Sequence, residues 1–195
     1  MKKLANTAVD LHPILAERWS PRSFEATHEI SDSDVLGILE AARWSPSSNN
    51  SQPWRFIVAK RGSDEFNKIL TTLTGSNSKW APSASLFILV SAQTTEVDGT
   101  TRPMALYDAG IASANATTEA HHRGLAVHQI GGFDREAISK EFNFAIGLRP
   151  LTVLVIGKQA PADSLADQAL REREMTARVR TPLNDLVINR DALAL

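Results

Sequence analysis

Pro46-Ser47-Ser48-Asn49-Asn50-Ser51-Gln52-Pro53-Trp54 is a polar run between a helix-like segment and an apolar, strand-like one. Its prolines fix their own φ and bias Ser45 and Gln52 towards extended backbone. Between them Ser47, Ser48, Asn49 and Asn50 offer hydrogen-bond donors and acceptors and nothing that builds an apolar core. Taken alone, the run has two readings: a capped connection between two elements, or a loop that meets a polar ligand.

Its flanks define the elements it joins. Ser31-Asp32-Ser33-Asp34 opens a helix with a Ser cap and an acidic first turn, and Val35, Leu36, Ile38, Leu39 and Ala42 mark a core-facing side. After the run, Arg55-Phe56-Ile57-Val58-Ala59 is β-branched and aromatic, and Lys60-Arg61-Gly62 closes it as a turn. Working outward, Asp10 to Glu17 is a short helix with Leu11, Ile14 and Leu15 on one face and Asp10 as its cap. Ser63 to Leu73 is amphipathic, with Phe66, Ile69, Leu70 and Leu73 inward and Gly75 to Ser78 as the loop behind it. Leu86 to Val90 is apolar throughout, a strand buried on both faces, and Gln93 to Arg102 is a polar surface loop.

Met104 to His122 is the longest helical segment and is dense in Ala, Gly and Ser. Such small faces admit a second helix closely, either inside one core or across a dimer seam. Gly124 stops it, and Leu125-Ala126-Val127 begins a third strand. Asp134 to Phe142 is a short capped helix, Leu151 to Gly157 a fourth strand, and Asp163 to Arg178 a charged helix. The tail from Leu183 to Leu195 carries Leu183, Leu186, Val187 and Ile188 and has to dock on its own body or on a partner's. No repeat or linker divides the alternation of helix and strand. The expectation is a single domain over residues 1–195, α/β or α+β, with strand directions open.

Composition narrows the function classes. The 195 residues include 43% hydrophobic side chains, enough for a sizeable core. Lys plus Arg number 21 against 22 Asp plus Glu, so no global field recruits nucleic acid or an anionic membrane, and any anion site has to be local. With no cysteine, thiolate metal sites and Cys nucleophiles are excluded and a reducing cytoplasm is expected. The first residues lack the apolar core of a signal peptide, and no apolar run is long enough to span a bilayer.

Several motifs bear on chemistry. Arg18-Trp19-Ser20-Pro21-Arg22 holds two guanidinium groups four positions apart, in a segment that Pro21 keeps from regular helix; it is an anion clamp or a pair of solvated arginines. Arg178-Val179-Arg180 repeats the theme near the other end. Gly131-Gly132, after His128-Gln129-Ile130, lets a flat ligand approach or simply makes a turn. His121, His122 and His128, with Asp108 and Glu119, are a weak metal set, because adjacent helical histidines point about 100° apart and no His-Glu-x-x-His pairing is present. No metal site is therefore assigned. Gly-x-Ser-x-Gly, Walker A and Gly-x-Gly-x-x-Gly patterns are absent as well.

Together, the segment Arg18 to Arg22, the run Leu39 to Trp54, Gly131-Gly132-Phe133-Asp134 and the Arg178/Arg180 pair resemble the nitroreductase family of FMN-dependent oxidoreductases over essentially the whole chain. The Pro-Ser-Ser-x-Asn-x-Gln-Pro-Trp loop carries most of that specificity. The resemblance implies an α+β three-layer fold, a central, mainly antiparallel sheet flanked by helices, and an intertwined homodimer with flavin at the subunit interface. It implies that Arg18, Trp19, Ser20 and Arg22 hold the phosphate, the ribityl chain and one ring edge, with Arg178 and Arg180 as further phosphate contacts. Arg22 is expected beside the N1/O2 edge of the ring. Pro46, Ser47, Ser48 and Asn50 would reach the flavin from the other protomer, and Gln129, Ile130, Gly131 and Gly132 match the segment whose backbone amide faces N5. Many members carry Glu-Gly where this chain has Gly131-Gly132, and Asn77 and Lys79 are loose counterparts of a polar contact before the second strand. The implied activity is reduction of nitroaromatic, quinone or similar acceptors by NADH or NADPH, in a ping-pong hydride or electron transfer through FMN. No side chain is expected as a dedicated catalytic acid or base. The alternative is a flavin-binding or flavin-modifying protein without turnover.

Overall fold

A computed structural model describes residues 3–189. Four strands form one sheet: β1 (Trp54–Lys60), β2 (Leu86–Gln93), β3 (Ala126–Ile130) and β4 (Leu148–Gly157), in the order β1-β2-β4-β3. All three pairings are antiparallel, which decides the direction that the sequence pattern left open. The expected strands are present, each longer than its apolar core; β2 runs on to Gln93, across a register shift between Val90 and Ser91.

Alternation on β2 builds the two sides of the core. Leu86, Ile88, Val90 and Ala92 face a cluster supplied by α2 (Asp32–Arg43) and α5 (Ala105–His122), including Ile38, Ala109 and Ala116. Phe87 and Leu89 face the opposite cluster, where α3 (Asp64–Thr72) contributes Phe66 and Ile69, and Phe66 stacks on Phe87 with centroids 3.9 Å apart. Trp80 from α4 (Asn77–Trp80), Ile138 from α6 (Arg135–Glu141) and Leu170 from α7 (Gln168–Met175) complete that side. The architecture is α+β in three layers, and β2 is buried on both faces because it lies inside the sheet with helices above and below.

Local signals account for most boundaries. Ser31 caps α2 through Asp34 N, Ser63 caps α3 through Phe66 N, Asp134 caps α6, and Asp167 caps α7. Small residues bring α2 and α5 together. A Cβ at Gly37 would meet the Arg123 guanidinium at 2.1 Å, so glycine leaves the space in which Arg123 reaches both Glu119 and Asp34.

The expectations fail mainly at helix ends and exposed faces. The first helix is only α1 (Pro13–Glu17), capped by His12 and not Asp10, and Leu11 and Leu15 are exposed. Leu36 is 63% exposed, not core-facing, because Val35 and Ile38 already occupy the inward side of α2. Gly75 to Ser78 is not all loop, since α4 begins at Asn77. The charged helix is shorter than Asp163 to Arg178: a single turn at Ala162–Ser164 precedes α7, whose cap is Asp167. The polar loop after β2 is pinned, because Thr95 bridges Thr101 and Glu96 accepts two bonds of 2.6 Å from Arg102. The tail forms α8 (Leu183–Leu186); Leu183, Leu186 and Ile188 are exposed while Val187 is half-buried, and residues 190–195 lie outside the description.

Candidate active site

The two arginine pairs, far apart in sequence, meet in space. A cavity of about 420 Å³ is lined by Arg18, Trp19, Ser20 and Arg22 from one side and by Arg178 and Arg180 from the other. Lys3 and Arg173 add two cations that the sequence pattern did not single out. Like charges crowd one another here. Burial first, then Arg178 and Arg180, hold the Arg18 guanidinium below its ordinary value. Burial and then Arg173 do the same to Arg22, while Glu174 opposes them. Burial and then Arg180 lower Arg178. A cluster of cations crowded in this way would be relieved by an anion.

Helix α7 contributes Arg173 to the lining and holds an acid, Glu174, behind it. Glu174 is 1% exposed, and its carboxylate accepts from Arg22 N at 2.9 and 3.1 Å and from Ser23 N at 3.2 Å. Its Oε2 also lies 3.9 Å from the Arg22 guanidinium. Thus one buried acid fixes the arginine segment by backbone amides and leaves a net positive rim. His128 braces the same segment from β3: its Nδ1 lies 2.9 Å from the Pro21 carbonyl, and its ring packs on Trp80 with centroids 4.6 Å apart. Arg178 donates to the carbonyls of Lys3 and Ala16, both at 2.7 Å, which ties it to the N-terminal segment. Neither Glu174 nor His128 was assigned from sequence. Only the apolar spacing around Glu174, which puts it on the side of Leu170, hinted that this acid turns inward.

The polar loop lies elsewhere on the chain, and none of Pro46, Ser47, Ser48 or Asn50 lines this cavity. Its backbone is unusual: Asn49, Asn50 and Gln52 have φ of 52°, 56° and 44°, left-handed values uncommon outside glycine. Asparagine tolerates that region, which explains the Asn-Asn pair. Ser47 Oγ accepts from Gln52 N at 3.0 Å, and Arg55 donates to the Gln52 carbonyl at 3.0 Å. Among the described residues, the side chains of Ser48, Asn49 and Asn50 make no hydrogen bond, although the Ser48 amide donates to Asp108 and the Asn50 carbonyl accepts from Gln52, and all three residues are exposed.

Helix α5 is the common platform. Asp108, 2% exposed, accepts from Ser48 N at 3.2 Å; Asn115 donates to Ser45 Oγ at 2.8 Å; and Thr117 Oγ1 accepts from Gln129 at 3.0 Å. One rigid helix thereby sets both the loop and the end of β3. At the glycine pair the two positions differ. A Cβ on Gly132 would meet Asn77 Nδ2 at 2.9 Å and Thr74 Oγ1 at 3.3 Å, whereas Gly131 opens on free space. The Gly132 carbonyl accepts from Asn77 and from Thr74 N. Lys79 is occupied by Asp167 at 2.7 Å, and Ile130 is buried in the core. Among the described residues, no three His, Cys, Asp or Glu side chains stand together as metal ligands, and no helix is long and apolar enough to cross a membrane.

An antiparallel three-layer sheet with a cation cavity at one place and a polar, left-handed loop at another defines a class, and comparison with known proteins supplies its family. Residues 15–76 and 64–158 match the nitroreductase family, and the chain belongs to it. An uncharacterised 15.4 kDa protein of Mycolicibacterium smegmatis is 37% identical over 139 residues, covering 68% of this chain and 92% of that one. YdgI of Bacillus subtilis strain 168, whose name assigns it provisionally to the NAD(P)H nitroreductases, is 26% identical over 81% of this chain and 97% of its own length. Among solved structures, an oxidoreductase containing FMN superposes with a TM-score of 0.88 at 29% identity, covering 95% of this chain and 94% of that one.

Proposed function

We propose that this chain is an NAD(P)H-dependent FMN oxidoreductase, acting as a homodimer on nitroaromatic, quinone or similar acceptors. The observation that carries the reading is the cavity that joins Arg18 and Arg22 to Arg178 and Arg180. The donor set fits FMN: several cations suit a phosphate monoester dianion, and the arginine forks match its oxygens bidentately. Trp19 and Ser20 line the same cavity and can meet the ribityl chain. Arg22, anchored by Glu174, is the cation we assign to an electron-rich ring edge. FMN, when bound, supplies the redox chemistry between the nicotinamide and the acceptor. The protein binds, orients and shields, and no side chain is assigned as a dedicated acid or base.

The loop supports the dimer. Pro46, Ser47, Ser48 and Asn50 stand outside the cation cavity of their own chain; Ser48 and Asn50 are exposed, and Asn50 holds a left-handed backbone. Nearby, α5 presents Leu106 and Tyr107 to solvent, and α2 presents Leu36. A second copy covering this face would bring its own cavity to the loop. At the glycine pair, Gly131 is the open position, so it, with Gln129, is the edge we assign to the ring.

The test is direct. Purified protein mixed with FMN should show bound-flavin absorption, bleach on addition of NADH or NADPH, and recover with a nitroarene or quinone. Failure to bind FMN sinks the proposal; uptake of FMN that neither nicotinamide bleaches leaves flavin binding without turnover. Mixed dimers test the shared site. A Ser47→Ala chain paired with an Arg180→Ala chain should keep one intact site and one doubly damaged one. A monomer that retains FMN would remove the shared-site model.

A further inference from the structure

The N-terminal segment runs beside the cation cavity and is fastened to it from several sides. Ala5 N donates to the Ala16 carbonyl at 2.9 Å, and Arg178 donates to the Lys3 carbonyl at 2.7 Å. The Lys3 ammonium lines the cavity, donates to the Thr176 carbonyl at 2.7 Å and lies 4.3 Å from the centroid of the Trp19 ring. An ammonium has three donors, and among the described residues one is used on protein. Its electrical surroundings are unfavourable: burial lowers its pKa, Glu174 opposes that, and Arg22 and Arg178 lower it further. A lysine free to swing into solvent would relieve that repulsion, yet this one is retained on an aromatic face among arginines.

From this placement we infer that Lys3 is a further phosphate-binding residue, which the N-terminal segment brings to the arginine cluster to contact the terminal phosphate of the bound flavin. The inference rests on the proposed FMN reading of the cavity. It gives the segment a task that a purely structural strap lacks. The Thr176 carbonyl and the Trp19 face hold the ammonium in position before the anion arrives, so little side-chain entropy is lost on binding. Lysine suits this role as a compact charge, while the arginines supply the planar forks.

FMN and riboflavin differ only by the phosphate, so the pair separates a phosphate contact from general damage. Both ligands are titrated into the flavin-stripped full chain, as wild type, Lys3→Gln and Lys3→Arg, by quenching of flavin fluorescence. Lys3→Gln should weaken FMN about tenfold and leave riboflavin within about twofold, and Lys3→Arg should recover most of the loss. If wild type prefers FMN but Lys3→Gln leaves FMN affinity unchanged, the inference is overturned while the cavity reading stands. Equal weakening of both ligands also overturns it, since that marks a structural strap. A wild-type chain that binds FMN no more tightly than riboflavin removes the phosphate reading of the cavity, and Lys3 with it.

Discussion

The arginine cavity and the Ser/Asn loop are both polar, yet they are made in opposite ways. The cavity is assembled by long-range contacts: Glu174 reaches back to Arg22 and Ser23, and Arg178 reaches back to Lys3 and Ala16. The loop is made locally, by two prolines, a Ser47–Gln52 bond and three left-handed residues, with Asp108 and Asn115 as its tethers to the body. The difference teaches where each is vulnerable. Damage to the cavity should register as lost stability and lost anion affinity together, whereas damage to the loop should alter local conformation and leave the core standing.

The largest effect belongs to Glu174. Its removal strands the half-buried Arg22 amide and the buried Ser23 amide and leaves Arg22 facing Arg173 without its counter-charge. Glu174→Ala should cost about 3 kcal/mol in denaturant unfolding and weaken FMN by tenfold or more. Glu174→Gln, which keeps one acceptor, should cost roughly half as much. A Glu174→Ala protein of wild-type stability would show that the cavity is not built on this acid.

Acid should attack the same region next. Burial pushes the His128 imidazole down to about 4 from an ordinary 6.5, with the Pro21 bond opposing and Arg22 and then Arg173 adding to it. Between these values the unfolded chain binds the proton and the folded one does not, so stability falls as pH falls. The contribution is complete above about pH 6.5 and is lost by about pH 4, on the order of 3 kcal/mol over the window. His128→Gln should flatten that slope in unfolding measured from pH 7 to 4; an unchanged slope would place the acid sensitivity elsewhere.

These two residues also mark how far the sequence was legible. The strands were visible as apolar or β-branched runs, and the three layers follow once β2 is seen to be apolar on both faces. The arginines and the loop were visible as local clusters of one chemistry. Glu174 and His128 were not: the spacing of Glu174 from Leu170 hints that it turns inward but not what it meets, and a lone histidine in a strand has no periodic signature. Their hold on the arginine segment is made by contacts more than 100 residues away in the chain. The exposed Leu36 failed for a related reason. Helical spacing gives a stripe wider than the core it meets, and the sequence does not say which edge is left over.

On the loop side, Asp108→Ala removes the acceptor for Ser48 N from the first turn of α5, where a negative charge is also favoured by the helix dipole. It should cost about 1–2 kcal/mol, measured by thermal unfolding. Hydrogen exchange should speed up across residues 47–52 and stay at wild-type values in 18–23. If exchange rises equally in both, the two regions are coupled and the contrast between them fails.

The smallest effect is the most specific to the loop. Asn50 has φ 56°, so a β-branched replacement meets its own backbone while glycine does not. Asn50→Val should lose about 1–2 kcal/mol, and Asn50→Gly should lie within about 0.5 kcal/mol of wild type. The side chain is exposed and makes no hydrogen bond among the described residues, so the glycine variant keeps the backbone and deletes only the polar group. The two variants therefore split what the loop does. If FMN affinity falls in Asn50→Gly at unchanged stability, the amide itself meets the ligand. If affinity falls only in Asn50→Val, the left-handed shape is what matters, and the polar side chain is there because asparagine tolerates that shape.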